Sequence, residues 1–128
     1  MSTLLAAYDD ASGTTAAFNL NVLTRLNRDI GADFMPANFR HRACWNPTES
    51  RIEMHLESLT AQTVHIPANC TGPSLTLHFA TGETIHTENS YKFTPASIQT
   101  LLSSSSFSPL RTWYDPHCLF AVTLATAL

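Results

Sequence analysis

The sequence predicts an α+β chain built as helix, antiparallel sheet, second helix and closing hairpin. Three observations carry this prediction. Apolar residues recur at four-residue intervals from Phe18 to Ile30, the period changes to two from Ala43, and Thr94-Pro95 opens a further helical stretch.

The first helix is expected over Thr14 to Ile30. Phe18, Val22, Leu26 and Ile30, with Leu23 on the same side, make its expected buried face. Thr14 is the expected N-cap, and Gly31 follows the last apolar position as a C-cap. A short helical turn is expected at Pro36 to Phe39. Beyond it, Ile52, Met54 and Leu56 alternate with Arg51, Glu53, His55 and Glu57, the pattern of a half-buried strand. Gln62 to Ile66 is its expected neighbour. Leu75, Leu77 and Phe79 alternate with Thr76 and His78. The stretch Ala80-Thr81-Gly82-Glu83 then turns the chain, and Glu83 to Glu88 is expected to return as the paired strand. Pro67 to Pro73, carrying Gly72, reads as a surface loop.

Thr94 caps the second helix and Pro95 takes its first position. Ile98, Leu101 and Leu102 face inward, and the run Ser103 to Ser106 ends the helix. Leu110 to Tyr114 and Leu119 to Ala125 close the chain as a hairpin around Asp115-Pro116. No internal repeat and no long linker interrupts this order.

At 128 residues the chain is one domain's worth, enough for a modest core and short for a complete cofactor-using enzyme. Apolar residues make up 44% and charged residues 13%, which suggests faces covered by other sequence. A net charge of −3 with no basic run argues against a nucleic-acid partner. The start, Met1-Ser-Thr-Leu-Leu, has no positive region leading into an apolar core, so no signal peptide is expected. Leu119 to Leu128 is broken by Thr123 and Thr126 and is too short to span a bilayer, so no membrane partner is expected. Cys44, Cys70 and Cys118 are odd in number and widely spaced, and read as reduced thiols of a cytoplasmic protein. Asn69-Cys70-Thr71 matches a glycosylation sequon, which carries little weight without a secretory signal.

Several kinds of site are argued against. Gly13, Gly31, Gly72 and Gly82 lie too far apart for a dinucleotide, P-loop or SAM-type glycine-rich turn. His41, His55, His65, His78, His86 and His117 fit neither HExxH nor a finger spacing. His55, His65, His78 and His86 sit on strands that can converge, but read better as structural or solvent-facing, so no metal is expected. There is no Gly-x-Ser-x-Gly elbow and no cysteine in an activating setting. The segment from Thr84 to Phe93 stands out, because it sets Glu88, Ser90 and Lys92 on one face of an extended chain, with His86 two residues earlier. A carboxylate and a hydroxyl at i and i+2 can jointly grip an ammonium group. Spacing alone leaves two readings open, a ligand site and a polar strand edge in solvent.

Four blocks in order then resemble one family. They are Tyr8-Asp-Asp-Ala-Ser-Gly-Thr-Thr-Ala-Ala-Phe-Asn-Leu-Asn-Val-Leu, Arg51-Ile-Glu-Met-His-Leu, Phe79-Ala-Thr-Gly-Glu-Thr-Ile-His-Thr-Glu-Asn-Ser-Tyr-Lys-Phe and Trp113-Tyr-Asp-Pro. Together they are similar to the histidine-specific SAM-dependent N-alpha-methyltransferases of ergothioneine biosynthesis, which trimethylate the α-amino nitrogen of L-histidine to give hercynine. The resemblance implies a substrate-binding domain over 1–90. It implies that 91–128 are the last helix and strand hairpin completing the sheet of a Rossmann-like methyltransferase domain. It implies a small-molecule substrate, L-histidine or a related amino acid, and four substrate-binding residues: Tyr8 at the backbone end of histidine, Met54 lining the pocket, and Glu88 and Ser90 holding the imidazole or polar end. The polar residues of Asn19-Leu-Asn21 are expected to face solvent or cap neighbouring structure.

S-adenosyl-L-methionine is the co-substrate the resemblance implies, with its binding site outside this chain. Methyl transfer from a sulfonium is an in-line displacement, which asks the enzyme chiefly to position an unprotonated amine. Such positioning needs polar anchors and no metal. The chain is therefore expected to be inactive alone and to work with a separate SAM-binding chain or through self-association, since unpartnered closing strands leave an exposed edge and an apolar face. The alternative is a non-catalytic binding or assembly module that keeps the substrate-domain fold.

Overall fold

Residues 2–68 and 72–128 are described by a computed structural model, and the chain divides into two units, Met1–Tyr91 and Lys92–Leu128. The sequon at Asn69-Cys70-Thr71 lies outside the described residues, as does that part of the expected 67–73 loop. The fold is α+β, and the four strand pairs among the described residues are antiparallel.

The first unit opens with a short helix, α1 (Ser2–Ala6), which no sequence pattern announced. Helix α2 spans Thr14–Ile30, the predicted range. Its N-terminus is held differently from the expectation. Thr14 is the first helical residue and not the cap. The carboxylate of Asp10 reaches across Gly13 and accepts the backbone N–H of Thr14 at 3.1 Å and of Thr15 at 2.8 Å, satisfying donors the helix leaves over. The Ser12 hydroxyl bonds the same carboxylate, and these contacts, that of Ser12 foremost, hold its pKa well below the usual carboxylate range. At the other end Gly31 does cap the helix, in left-handed backbone (φ 72°), with its N–H on the Asn27 carbonyl. Asn27 also exchanges both amide atoms with the backbone of Phe34, at 2.6 and 2.8 Å, which ties the end of α2 to the chain entering the sheet.

The buried face of α2 is rotated from the predicted one. Phe18 is 69% exposed and Val22 is 40% exposed, whereas Asn19 and Leu23 are buried. A strict four-residue step drifts by about 40° each time, so Phe18 and Ile30 lie about 120° apart around the axis. Asn19, Leu23, Leu26 and Ile30 fall within a stripe about 60° wide and make the better face.

After a 3₁₀ turn (Pro36–Asn38) come β1 (Phe39–Asn46), β2 (Arg51–Ser58), β3 (Gln62–Ile66), β4 (Leu75–Phe79) and β5 (Thr84–Tyr91). They form two sheets, ordered β1-β2-β5 and β3-β4. Two pairing expectations are thereby corrected. β3 partners β4 and not β2, and β5 returns to β2 and not to its sequence neighbour β4. The Ala80–Glu83 turn hands the chain from one sheet to the other: Gly82 N–H bonds Ser58 O and Ser58 N–H bonds Glu83 O, each at 2.8 Å, extending the β2–β5 ladder. The alternation read in β2 holds, with Ile52, Met54, Leu56 and Ser58 all buried. The core joins Leu23, Ala32, Phe34, Phe39, Leu56 and Val64. Phe79 meets Phe39 edge-on at 5.5 Å between ring centroids and Phe34 at 6.4 Å, an arrangement aromatic quadrupoles favour.

The second unit holds α3 (Pro95–Ser104) and the hairpin β6 (Phe107–Tyr114) and β7 (Ala121–Ala127). Thr94 caps α3 reciprocally with Ser97, each hydroxyl accepting the other residue's backbone N–H. The predicted hairpin is present with shifted ends: β6 starts three residues before Leu110, and Leu119 lies in the turn. The Asp115 carboxylate organises that turn by accepting the N–H groups of His117, Leu119 and Phe120 at 3.0, 2.6 and 2.7 Å. These bonds, that of Phe120 foremost, lower its pKa. Ile98 and Leu102 of α3 are half-buried, but the predicted inward Leu101 is exposed, and no residue of this unit is fully buried.

Candidate functional site

Strand β5 carries the candidate site, and one extra residue decides which way its side chains point. Met54 pairs with Glu88 and His55 with His86, so Thr87 is an additional residue opposite a single step of β2. Its hydroxyl donates to the Met54 carbonyl at 2.9 Å and secures the bulge. Without the bulge, His86, Glu88 and Ser90 would share a face by strict alternation. With it, Glu88 and Ser90 stand on the Ile52–Met54 side of the sheet, while His86 stacks on His55 across the other side, ring centroids 4.5 Å apart. The grouping of His86 with Glu88 and Ser90 is corrected accordingly. Lys92 lies past the end of β5, in the second unit.

The four predicted residues are brought together in this first unit. Met54 is buried and lies opposite Glu88 in register, and Ile52 lies opposite Ser90. The Tyr8 hydroxyl is 2.7 Å from Ser90 Oγ, bridging 82 positions of sequence. Tyr8 and Ser90 are half-buried, and the Glu88 carboxylate is exposed. The result is a buried thioether beside a carboxylate, with a phenol and a hydroxyl two residues along. Such a set offers an anionic acceptor, two groups that both donate and accept, and an apolar wall.

Tyr8 is held through its own backbone, and sequence patterns gave no sign of how. The Tyr8 N–H bonds Leu5 O at 2.9 Å, and the Tyr8 carbonyl is 2.7 Å from His41 Nε2 on β1. His41 Nδ1 is in turn 3.0 Å from Asn19 Nδ2 on α2. Asn19 is only 4% exposed, so of the two roles expected for it, facing solvent or capping neighbouring structure, it takes the second. Its neighbour Asn21 is exposed. The narrow 19-23-26-30 stripe is the sequence signal that marks Asn19 as a buried polar residue in need of partners.

The opposite side of the sheet carries Cys44, Glu53 and His55, whose potential metal-ligand atoms lie within 4.8 Å of one another. Glu53 Oε1 already accepts from Asn46 Nδ2 and Arg51 Nε, each at 2.8 Å, and Oε2 lies 3.2 Å from His55 Nε2. These bonds, that of Asn46 foremost, hold the Glu53 carboxyl down to about 2. A cation would compete with the Arg51 guanidinium for this carboxylate, so the cluster reads as an ion-pair network. His65 and His78 bond Thr76 and Thr63 on the other sheet.

The described residues do not fit a SAM site. The strand pairs among them are all antiparallel, so among the described residues no crevice opens at the carboxyl ends of parallel strands, and no two glycines of the sequence lie close enough to share a turn between strand and helix. Among the described residues, no helix is long and apolar enough to cross a membrane.

Two curated relatives cover most of the chain. The Histidine N-alpha-methyltransferase of Mycolicibacterium smegmatis (strain ATCC 700084 / mc(2)155) is 44% identical over 122 residues, and that of Mycobacterium tuberculosis (strain CDC 1551 / Oshkosh) is 41% identical over 122 residues. Each alignment covers 95% of this chain and 37% of the relative, so the chain spans little more than a third of the length of these proteins. The family described as histidine-specific methyltransferase, SAM-dependent, matches residues 1–127, and the chain belongs to that family.

Proposed function

We propose that this chain is the histidine-gripping, C-terminal portion of an L-histidine N-alpha-methyltransferase that forms hercynine on the way to ergothioneine. The observation that supports it most is the convergence of Tyr8, Met54, Glu88 and Ser90 from three separate sequence blocks, with Tyr8 bonded to Ser90 and Met54 opposite Glu88. Glu88 and Ser90 hold the imidazole, the carboxylate accepting a ring N–H and the hydroxyl completing the ring's hydrogen bonding. The buried Met54 walls one side, and the Tyr8 phenol orients the backbone end so that the amine is presented in one direction. No residue of the chain is assigned a chemical step.

The methyl donor, S-adenosyl-L-methionine, is held by the part of the protein that this chain does not span. In this reading 1–90 form the substrate domain. Residues 91–128 complete the sheet of the donor domain, which accounts for the exposure of Leu110, Trp113, Tyr114, Val122 and Leu124 along β6 and β7. The chain alone is therefore inactive, and a separate donor-binding chain or the remaining sequence completes it. The free thiols of Cys44 and Cys118 suit a reducing, cytoplasmic setting.

Calorimetry tests the reading. The chain alone is expected to show no tight binding of S-adenosyl-L-methionine. When it is combined with the donor-binding portion of a relative, L-histidine is expected to bind. Tight donor binding by the chain alone would contradict the division of labour.

A further inference from the structure

Tyr8, His41 and Asn19 form a chain of hydrogen bonds that ends in a backbone carbonyl at both extremities. At one end His41 Nε2 lies 2.7 Å from Tyr8 O. In the middle His41 Nδ1 lies 3.0 Å from Asn19 Nδ2, and at the other end the same amide nitrogen donates to His55 O at 3.2 Å. Carbonyl oxygens only accept. His55 O therefore requires the amide nitrogen, and not the amide oxygen, on its side of Asn19. The second hydrogen of that amide points at His41 Nδ1, which must present a lone pair. Tyr8 O then requires the ring hydrogen on Nε2.

One imidazole state meets both demands, the neutral Nε2–H tautomer. A proton on Nδ1 would set N–H against N–H. Turning the Asn19 amide around would aim its oxygen at His55 O. Asn19 is buried, so at its amide either clash costs the full penalty of an unpaired polar group.

We propose that His41, locked by Asn19 in the neutral Nε2–H tautomer, is a positioning residue for Tyr8. The ring anchors the Tyr8 carbonyl to β1 and thereby sets the phenol against Ser90. Asn19 acts one step further out, by fixing which ring nitrogen carries the hydrogen. This role rests on the reading of Tyr8 and Ser90 as substrate contacts.

Two measurements test it. In the ¹⁵N-histidine-labelled chain, long-range ¹H–¹⁵N spectra near neutral pH should show His41 with a protonated Nε2 and a bare Nδ1, unaveraged, the signals being assigned by their loss in His41→Gln. Tautomer averaging, or a hydrogen on Nδ1, overturns the lock. In the enzyme completed by its donor-binding portion, His41→Phe keeps the ring volume and removes the donor. It should raise KM for L-histidine about three- to tenfold, the worth of one hydrogen bond, with a smaller change in kcat. His41→Gln, whose amide can still reach Tyr8 O, should recover most of that loss. If His41→Phe does not fold, Asn19→Ala, which frees the ring to exchange tautomers, is read by the same spectra and kinetics. An unchanged KM in the His41 variant while Glu88→Ala raises KM overturns this inference alone. An unchanged KM in both overturns the substrate reading as well, and the spectra still decide the lock.

Discussion

Truncating Leu23 and Phe18 to alanine gives the sharpest test of how α2 sits on the sheets. Both are large apolar residues on one helix, five positions apart. Leu23 is 0% exposed and belongs to the core with Phe34, Phe39, Leu56 and Val64. Leu23→Ala removes buried methyl groups and leaves a cavity between elements that cannot close fully, at a cost of about 3 kcal/mol. Phe18 keeps most of its ring in solvent, so Phe18→Ala in this chain should change stability by no more than about 0.5 kcal/mol. Urea unfolding followed by far-UV circular dichroism reads both. With a slope of about 1.5 kcal/mol/M, Leu23→Ala should lower the midpoint by about 2 M while Phe18→Ala leaves it nearly fixed. Equal losses, or a larger loss at Phe18, would refute the rotated face and restore the four-residue stripe read from sequence.

Ser58 is fully buried, donates to Thr60 O at 2.8 Å and accepts from the Gln62 amide, so Ser58→Ala should cost about 1–3 kcal/mol by removing both bonds, measured by the same unfolding curves. Gly31 has φ 72°, and an added Cβ would meet Pro67 Cγ at 3.2 Å, so Gly31→Ala should cost about 1–2 kcal/mol; a neutral result would contradict the left-handed cap. Glu53 ionises at about 2 when folded and at 4.5 in the reference state, a depressed value. Its contribution to stability is therefore complete above 4.5 and is lost as the pH falls from there towards 2. The midpoint of the parent chain should drop more between pH 6 and pH 3 than that of Glu53→Gln, and parallel profiles would refute the network.

Local chemistry made much of this fold readable. The limits of α2, the alternation of β2, the cap at Thr94 and the Asp115 turn all rest on residues a few positions apart, which sequence displays directly. What escaped depends on distant partners. The return of β5 to β2 places the partly buried Ile85 opposite Leu56 against the core, a contact between residues far apart in sequence. The Asp10 hold on α2 escaped because it acts from outside the helix. The four candidate site residues were found through blocks of resemblance, since spacing alone did not separate a ligand site from a solvent edge. The Thr87 bulge explains why: strict alternation mixes His86 into a face that the folded strand reserves for Glu88 and Ser90. The support for Tyr8 was hidden because Asn19, a polar residue, occupies the buried stripe of a helix judged by its apolar ones.

In the proposed reading Glu88 and its neighbours grip histidine. Its most direct test is titration of L-histidine, by calorimetry, into the chain completed by a donor-binding portion, comparing the parent with Glu88→Ala. Loss of a charge-assisted hydrogen bond predicts an affinity lower by about tenfold or more. Histidine affinity unchanged by the substitution would contradict the account.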